Sequence, residues 1–111
     1  MPASFQIIIP TDRGQVSVHT ADIIRIESIS NYSRIHFSNG NYPLTVARVL
    51  RKFEEMLPRE QFIRTHRTHL VNKKYIKSVN VGKQTTVSLL NGETIAISRR
   101  KKQVTCRLSA A

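Results

Sequence analysis

The chain has 111 residues, 40% of them hydrophobic, with no tryptophan, one cysteine, and 18 Lys and Arg against 7 Asp and Glu for a formal charge of +11. That length makes one domain, and that hydrophobic share supplies a small core of Ile, Val and Leu rather than a disordered chain. The lone Cys106 excludes an intrachain disulfide and a Cys-rich zinc module, no apolar run reaches the roughly 18 residues of a membrane span, and no basic-then-apolar leader opens the sequence, so a soluble cytoplasmic protein is expected.

Residues 5–9, FQIII, are a short apolar run closed by Pro10. Gln15-Val16-Ser17-Val18-His19 alternates as a half-buried strand does. Residues 23–29, IIRIESI, continue as strand, with Ile24, Ile26 and Ser28 predicted on one face. Residues 32–37 are a further strand, and Asn39-Gly40 signals a hairpin leading into Tyr42-Pro43-Leu44. A second hairpin joins residues 86–90 to 94–97 through Asn91-Gly92. Two helices interrupt this antiparallel pattern. Thr45 is suited to cap a helix over 46–57, closed by Pro58, whose stripe Val46, Val49, Leu50, Phe53 and Leu57 packs on the sheet. A short helix over 99–108 follows Ser98. The fold class is mainly β: short antiparallel strands with one main amphipathic helix and a short C-terminal one, in a single domain over residues 5–108.

The charge is unevenly placed. Residues 1–33 hold 2 basic and 3 acidic groups, whereas residues 34–111 hold 16 and 4. A self-repelling cationic surface of this kind asks for an anionic partner, nucleic acid first, with anionic lipid or another polyanion as the competing reading. The basic groups cluster in three turn-like places: Asn31 with Ser33 and Arg34; Arg64, His66, Arg67 and Thr68; and Arg99, Arg100, Lys101 and Lys102. Arg and Asn are the types that make paired hydrogen bonds to guanine and adenine edges, and Lys and Thr suit phosphate oxygens. Tyr32, Tyr42 and Tyr75 are scattered, which argues against a stacking platform for single strands.

The histidines carry a rival reading. His66-x-x-His69 would put two rings on one face of a helix, but the flanking residues read as strand and turn, and no Glu lies inside the pair as a metallohydrolase needs. His19, His36 and Cys106 are unattached to it in sequence, so no metal is expected. An acid/base pair at His66 and His69 in a small basic nuclease stays open, since such work needs only two residues. All four glycines are isolated, so no phosphate-cradling loop is present, and no nucleophile motif accompanies the histidines. No cofactor is expected.

The stretch FIRTHRTHLVNKKYIKSV, residues 62–79, resembles the signature of the LytTR-type DNA-binding domain of bacterial response regulators of the LytR/AlgR kind. In that pattern, F-x-R-x-H-R-S-x-L-V-N-x-x-x-I, this sequence supplies Phe62, Arg64, His66, Arg67, Leu70, Val71, Asn72 and Ile76, with Thr68 keeping the hydroxyl of the usual Ser. Asp22-Ile23-Ile24-Arg25-Ile26-Glu27 and Asn31-Tyr32 resemble the family's upstream block, and Ile97-Ser98-Arg99-Arg100 its closing one, over residues 15–104 in all. The resemblance implies small stacked sheets that read the major groove of duplex DNA through three loops rather than a recognition helix. Carried over, the first contact falls near Asn31 to Arg34 with Ser33 at the direct position, the second on Arg67 beside His66 and Thr68, and the third on Arg99. Arg64 either meets phosphate or braces its loop. The implied role is transcription regulation in a bacterial two-component system, without enzymatic activity, at paired direct repeats in promoters with two copies per site. No receiver domain precedes this one, so an excised effector domain or a stand-alone regulator with another signalling partner is expected.

Overall fold

In the computed structural model, residues 6–40 and 42–98 are described. Strands β1 (Gln6–Thr11) and β2 (Gly14–His19) form a hairpin. Strands β3 (Ile23–Ile29), β4 (Tyr32–Phe37) and β5 (Leu44–Val46) lead into helix α1 (Leu50–Met56). Strands β6 (Phe62–His66) and β7 (His69–Asn72) follow, then β8 (Ile76–Asn80), β9 (Thr86–Leu89) and β10 (Thr94–Ala96). A central sheet of order β5-β4-β3-β7-β6 lies beside a three-stranded sheet, β10-β9-β8, and every pairing is antiparallel. This is the mainly β architecture that the alternating pattern predicts. The helix expected over 99–108 lies outside the described residues.

The central sheet is apolar on both faces, and each face carries its own core. On one side Ile23, Ile26, Ile35, Leu70 and Phe62 pack against Leu50, Phe53 and Leu57 of the α1 region and against Ile9 and Val18 of the first hairpin. On the other side Ile24, Ile63 and Val71 meet Val87, Leu89 and Ile95 of the small sheet. Burial of these side chains is the dominant favourable term of folding. The expectation that Ile24 and Ile26 share a face is corrected here. A bulge between Ile23 and Arg25 shifts the alternation, so Ile23 and Ile26 enter one core and Ile24 the other.

The helix is also shorter than the sequence suggests. Leu44 pairs with Ile35, Thr45 with Arg34 and Val46 with Ser33, so the segment expected to cap and open the helix is instead the edge strand β5. β-branched Thr and Val favour that state, and the ladder to β4 decides it. Helix α1 starts at Leu50 with no side-chain cap. Val46, Leu50, Phe53 and Leu57 are still buried, while Val49 stays half exposed. The Asn91-Gly92 turn forms as expected, with Gly92 at φ +93°, a conformation that glycine alone adopts without strain.

Asn72 shows how a motif residue can be wholly structural. Its side-chain amide donates to the carbonyls of Ile23 (2.9 Å) and Thr20 (3.4 Å), and its oxygen accepts from the Lys74 amide (3.2 Å). It thereby ties the end of β7 to the start of β3 and begins the single helical turn Lys73–Tyr75.

Candidate nucleic-acid interface

Strand direction gathers the basic turns at one end of the molecule. β3 ends at Ile29, β7 begins at His69, and the two are neighbours in antiparallel pairing, so the β3–β4 turn and the β6–β7 turn lie at the same end of the central sheet. A bond from the Ser28 amide to the Thr68 carbonyl (2.8 Å) joins them directly. The chain leaving β10 arrives there too, because the Ser98 amide donates to the Thr65 carbonyl (2.8 Å). Arg99, Arg100, Lys101 and Lys102 themselves lie outside the described residues.

The β6–β7 turn has an unusual distribution of polar groups. Arg64 donates from Nε to the His66 carbonyl (2.9 Å) and from Nη2 to the Arg67 carbonyl (2.5 Å). With Ser28 holding the Thr68 carbonyl, three successive carbonyl oxygens of the turn are engaged from within the protein. His66 Nδ1 accepts from the Thr68 amide (3.2 Å), so the Thr68 hydroxyl at 2.8 Å donates to the same nitrogen, and a neutral ring then carries its proton on Nε2. The turn's carbonyl acceptors are thus occupied. Arg67 at the tip is exposed, and its guanidinium makes no hydrogen bond to another described residue. Arg64 is thus a brace, and Arg67 is the group presented.

The β3–β4 turn is built differently. Ser30 and Asn31 connect the paired residues Ile29 and Tyr32, and Ser30 takes φ 56°, left-handed backbone that costs a non-glycine residue about 1 kcal/mol. Asn31 and Arg34 are exposed; Arg34 Nε lies 3.5 Å from Thr45 Oγ1, a weak contact. Ser33, expected as the direct contact, is 0% exposed, and its hydroxyl donates to the Arg48 carbonyl at 2.6 Å. It faces the α1 side of the sheet and fixes the chain between β5 and α1. Of the residues expected at this turn, Asn31 and Arg34 are the exposed ones.

A charged network runs from β3 to its neighbours. Arg25, 7% exposed, forks onto Glu93 with Nε to Oε1 at 3.2 Å and Nη2 to Oε2 at 2.7 Å, linking the central sheet to the β9–β10 hairpin. That fork, helped by Asn91, holds the Glu93 carboxyl down at about 2. Glu27 lies 2.8 Å from His36 Nε2 and 3.5 Å from Arg25 Nη1; burial pushes its carboxyl up, but the His36 bond and the Arg25 charge outweigh this and lower it. His69 is half-buried with an unpartnered Nδ1; burial first, then the Arg25 charge, lowers its pKa. The His66 and His69 rings are 6.0 Å apart and tilted by 54°. Among the described residues no three His, Cys, Asp or Glu side chains gather to hold a metal, and no helix is long and apolar enough to cross a membrane.

Two further segments share this end and escaped sequence reasoning. Val46 pairs with Ser33, which places residues 47–49, including Arg48, at the same end. The Ile97 amide bonds the Thr85 carbonyl (3.0 Å), which brings in the β8–β9 loop, residues 81–85, with exposed Lys83. A lone Lys beside Gly82 gives no composition signal; only the strand order locates it.

The basic turns among the described residues thus gather at one end of the central sheet. The chain belongs to the LytTR DNA-binding domain family, whose model matches residues 13–105. It is 34% identical over 86 residues to the sensory transduction protein LytT of Bacillus subtilis (strain 168), an alignment covering 76% of this chain and 35% of that one, so the chain spans about a third of that relative's length. Its fold is similar to the solved LytTr DNA-binding domain of a methyl-accepting/DNA response regulator from Bacillus cereus, with a TM-score of 0.76, 24% identity, and 96% and 97% of the two chains covered.

Proposed function

We propose that this domain is the sequence-specific, double-stranded DNA-reading part of a bacterial transcriptional regulator, entering major grooves with its turns at paired direct repeats, two copies per site. Arg67 reads from the second turn, Asn31 and Arg34 act at the first, and Arg99 to Lys102 supply the third. His66 and Thr68 shape the second turn, and Arg64 braces it. An upstream receiver domain or a separate signalling partner controls the output, and no catalytic step or cofactor is assigned.

One observation supports the reading: the carbonyls of His66, Arg67 and Thr68 each accept a hydrogen bond from within the protein, and the Arg67 guanidinium is exposed at the tip. A surface that meets phosphates and guanine O6 and N7 needs donors outward and acceptors withdrawn. A hydrolase would need no such arrangement.

Selection from random duplexes, with footprinting of the winner, tests this. The expected result is an enriched motif occurring twice in the same orientation, while labelled RNA incubated in EDTA stays intact. RNA cleavage that disappears in His66→Ala would overturn it in favour of a nuclease using His66 and His69. Anionic vesicles that outcompete duplex at matched salt would overturn it in favour of a surface polyanion binder.

A further inference from the structure

Arg64 makes three kinds of contact, and only two of them belong to the turn. Its Nε and Nη2 hold the carbonyls of His66 and Arg67, while Nη1 donates to Glu54 Oε1 at 2.7 Å. Glu54 sits on α1, at the other end of the guanidinium from the turn it serves. A guanidinium is a rigid plane, so fixing one nitrogen on a carboxylate sets the direction in which the other donors point. The Arg64 side chain is only 18% exposed, which leaves it little water to replace that anchor.

We propose that Glu54 is a positioning residue for DNA reading: through Arg64 it sets the orientation of the β6–β7 turn and hence of the Arg67 guanidinium. The proposal rests on the DNA-reading function above. It makes α1 part of the recognition apparatus although no residue of the helix need touch the duplex.

Electrostatics supplies a rival of opposite sign. A carboxylate on a protein that approaches a polyanion weakens binding, so neutralising it should tighten binding to every duplex alike. Positioning requires instead that the cognate duplex lose affinity while random duplex does not. Glu55, the next residue on α1, is the internal control. It carries the same charge but, among the described residues, pairs only with exposed Arg51, at 3.5 Å, and has no link to the turn.

The experiment compares cognate and random duplex affinity, on a cognate site selected with the wild-type protein, for Glu54→Gln, Glu54→Asp, Glu55→Gln and Arg64→Lys. Glu54→Gln is expected to lower the cognate-to-random ratio about 3- to 10-fold, at the modest end of coupling within one network. Glu54→Asp, which keeps the charge but withdraws the carboxylate, should lose part of the ratio. Arg64→Lys should lose it as well, because an ammonium cannot hold the fork. Glu55→Gln should leave the ratio alone. In an Arg67→Ala background, Glu54→Gln should change the ratio no further. The inference is overturned if Glu54→Gln leaves the ratio intact, if both glutamine variants tighten all duplexes equally, or if the loss persists undiminished without Arg67. A wild-type protein that prefers no duplex overturns the DNA-reading function itself. An Arg67→Ala effect without a Glu54 effect overturns only the positioning role.

Discussion

The two basic turns at this end of the central sheet have the same length and different construction. Each has two residues between its paired ends, Ile29 with Tyr32 in the first and His66 with His69 in the second. The first carries left-handed backbone at Ser30 and is tied down through its flanks, by the Ser28 amide on the Thr68 carbonyl and the Ser33 hydroxyl on the Arg48 carbonyl. The second is held from three directions, by Arg64, by the His66–Thr68 pair and by the Ser28 amide. A presented side chain therefore depends on neighbours that need never touch the ligand, and pre-organisation of this kind lowers the ordering cost of binding. The second turn is braced by side chains of its own hairpin, and the first through the residues that flank it.

Removing the brace should have the largest effect. Arg64→Ala leaves two turn carbonyls and Glu54 without their donor, and about 2 to 3 kcal/mol of stability is expected to go, with the partly exposed Glu54 pair discounted. Arg34→Ala, the nearest counterpart at the first turn, should stay within about 0.5 kcal/mol. Denaturant unfolding of the two variants measures the contrast, and equal costs would erase it.

Ser33→Ala comes next. Losing a fully buried hydroxyl that donates to the Arg48 carbonyl should cost about 1 to 2 kcal/mol in unfolding free energy while sparing the cognate-to-random ratio. A folded variant that lost discrimination instead would return Ser33 to the list of direct contacts.

Acid acts on the charged network in stages. The fold depresses the pKa of His69, so the stability it contributes is present above its ordinary value of 6.5 and is lost as pH falls through its lower folded value. Glu27 and Glu93 are also depressed, so their contributions are present above 4.5 and are lost further down, for Glu93 as pH approaches about 2. On acidification the half-buried His69 should therefore lose its contribution before Glu27 and Glu93 lose theirs. NMR titration of the His69 ring should give a midpoint below 6.5, and one above it would contradict the burial argument.

The smallest effect is expected from Lys83, which the strand order brings to this end. Lys83→Ala should reduce the steepness of log K against log salt by about one contact's worth, a slope change of about 0.9, and weaken all duplexes alike. Lys74→Ala, in the helical turn between β7 and β8, should change neither. Equal effects of the two would mean that the basic charge acts without regard to position.

Much of this was legible from the residues. The alternation at Val16 and Val18 and the Asn91-Gly92 turn located strands correctly, and the FIRTHRTHLVN stretch marked the second turn. The bulge at Ile23 to Arg25 was not legible, because a one-residue slip leaves composition unchanged. Val46 fits a helical stripe and a strand equally well, and only its pairing with Ser33 chooses between them. Ser33, which takes part in the same pairing, is fully buried, and composition carries no sign of that. Arg64 and Arg67 look alike in sequence; the bulge between Arg64 and His66 and the nearness of Glu54 turn one inward and leave the other out.

Arg67→Ala is the most direct measurement. The side chain is exposed and bonds no other described residue, so the variant should unfold with the wild-type free energy to within about 0.5 kcal/mol. Its binding to the selected cognate duplex should weaken by about 1 to 3 kcal/mol, the worth of a bidentate contact to guanine, with a smaller loss on random duplex. The expected result is a folded protein that still grasps DNA and discriminates poorly. A folded Arg67→Ala protein with its cognate-to-random ratio intact would contradict the claim that this braced turn exists to present Arg67 to a base.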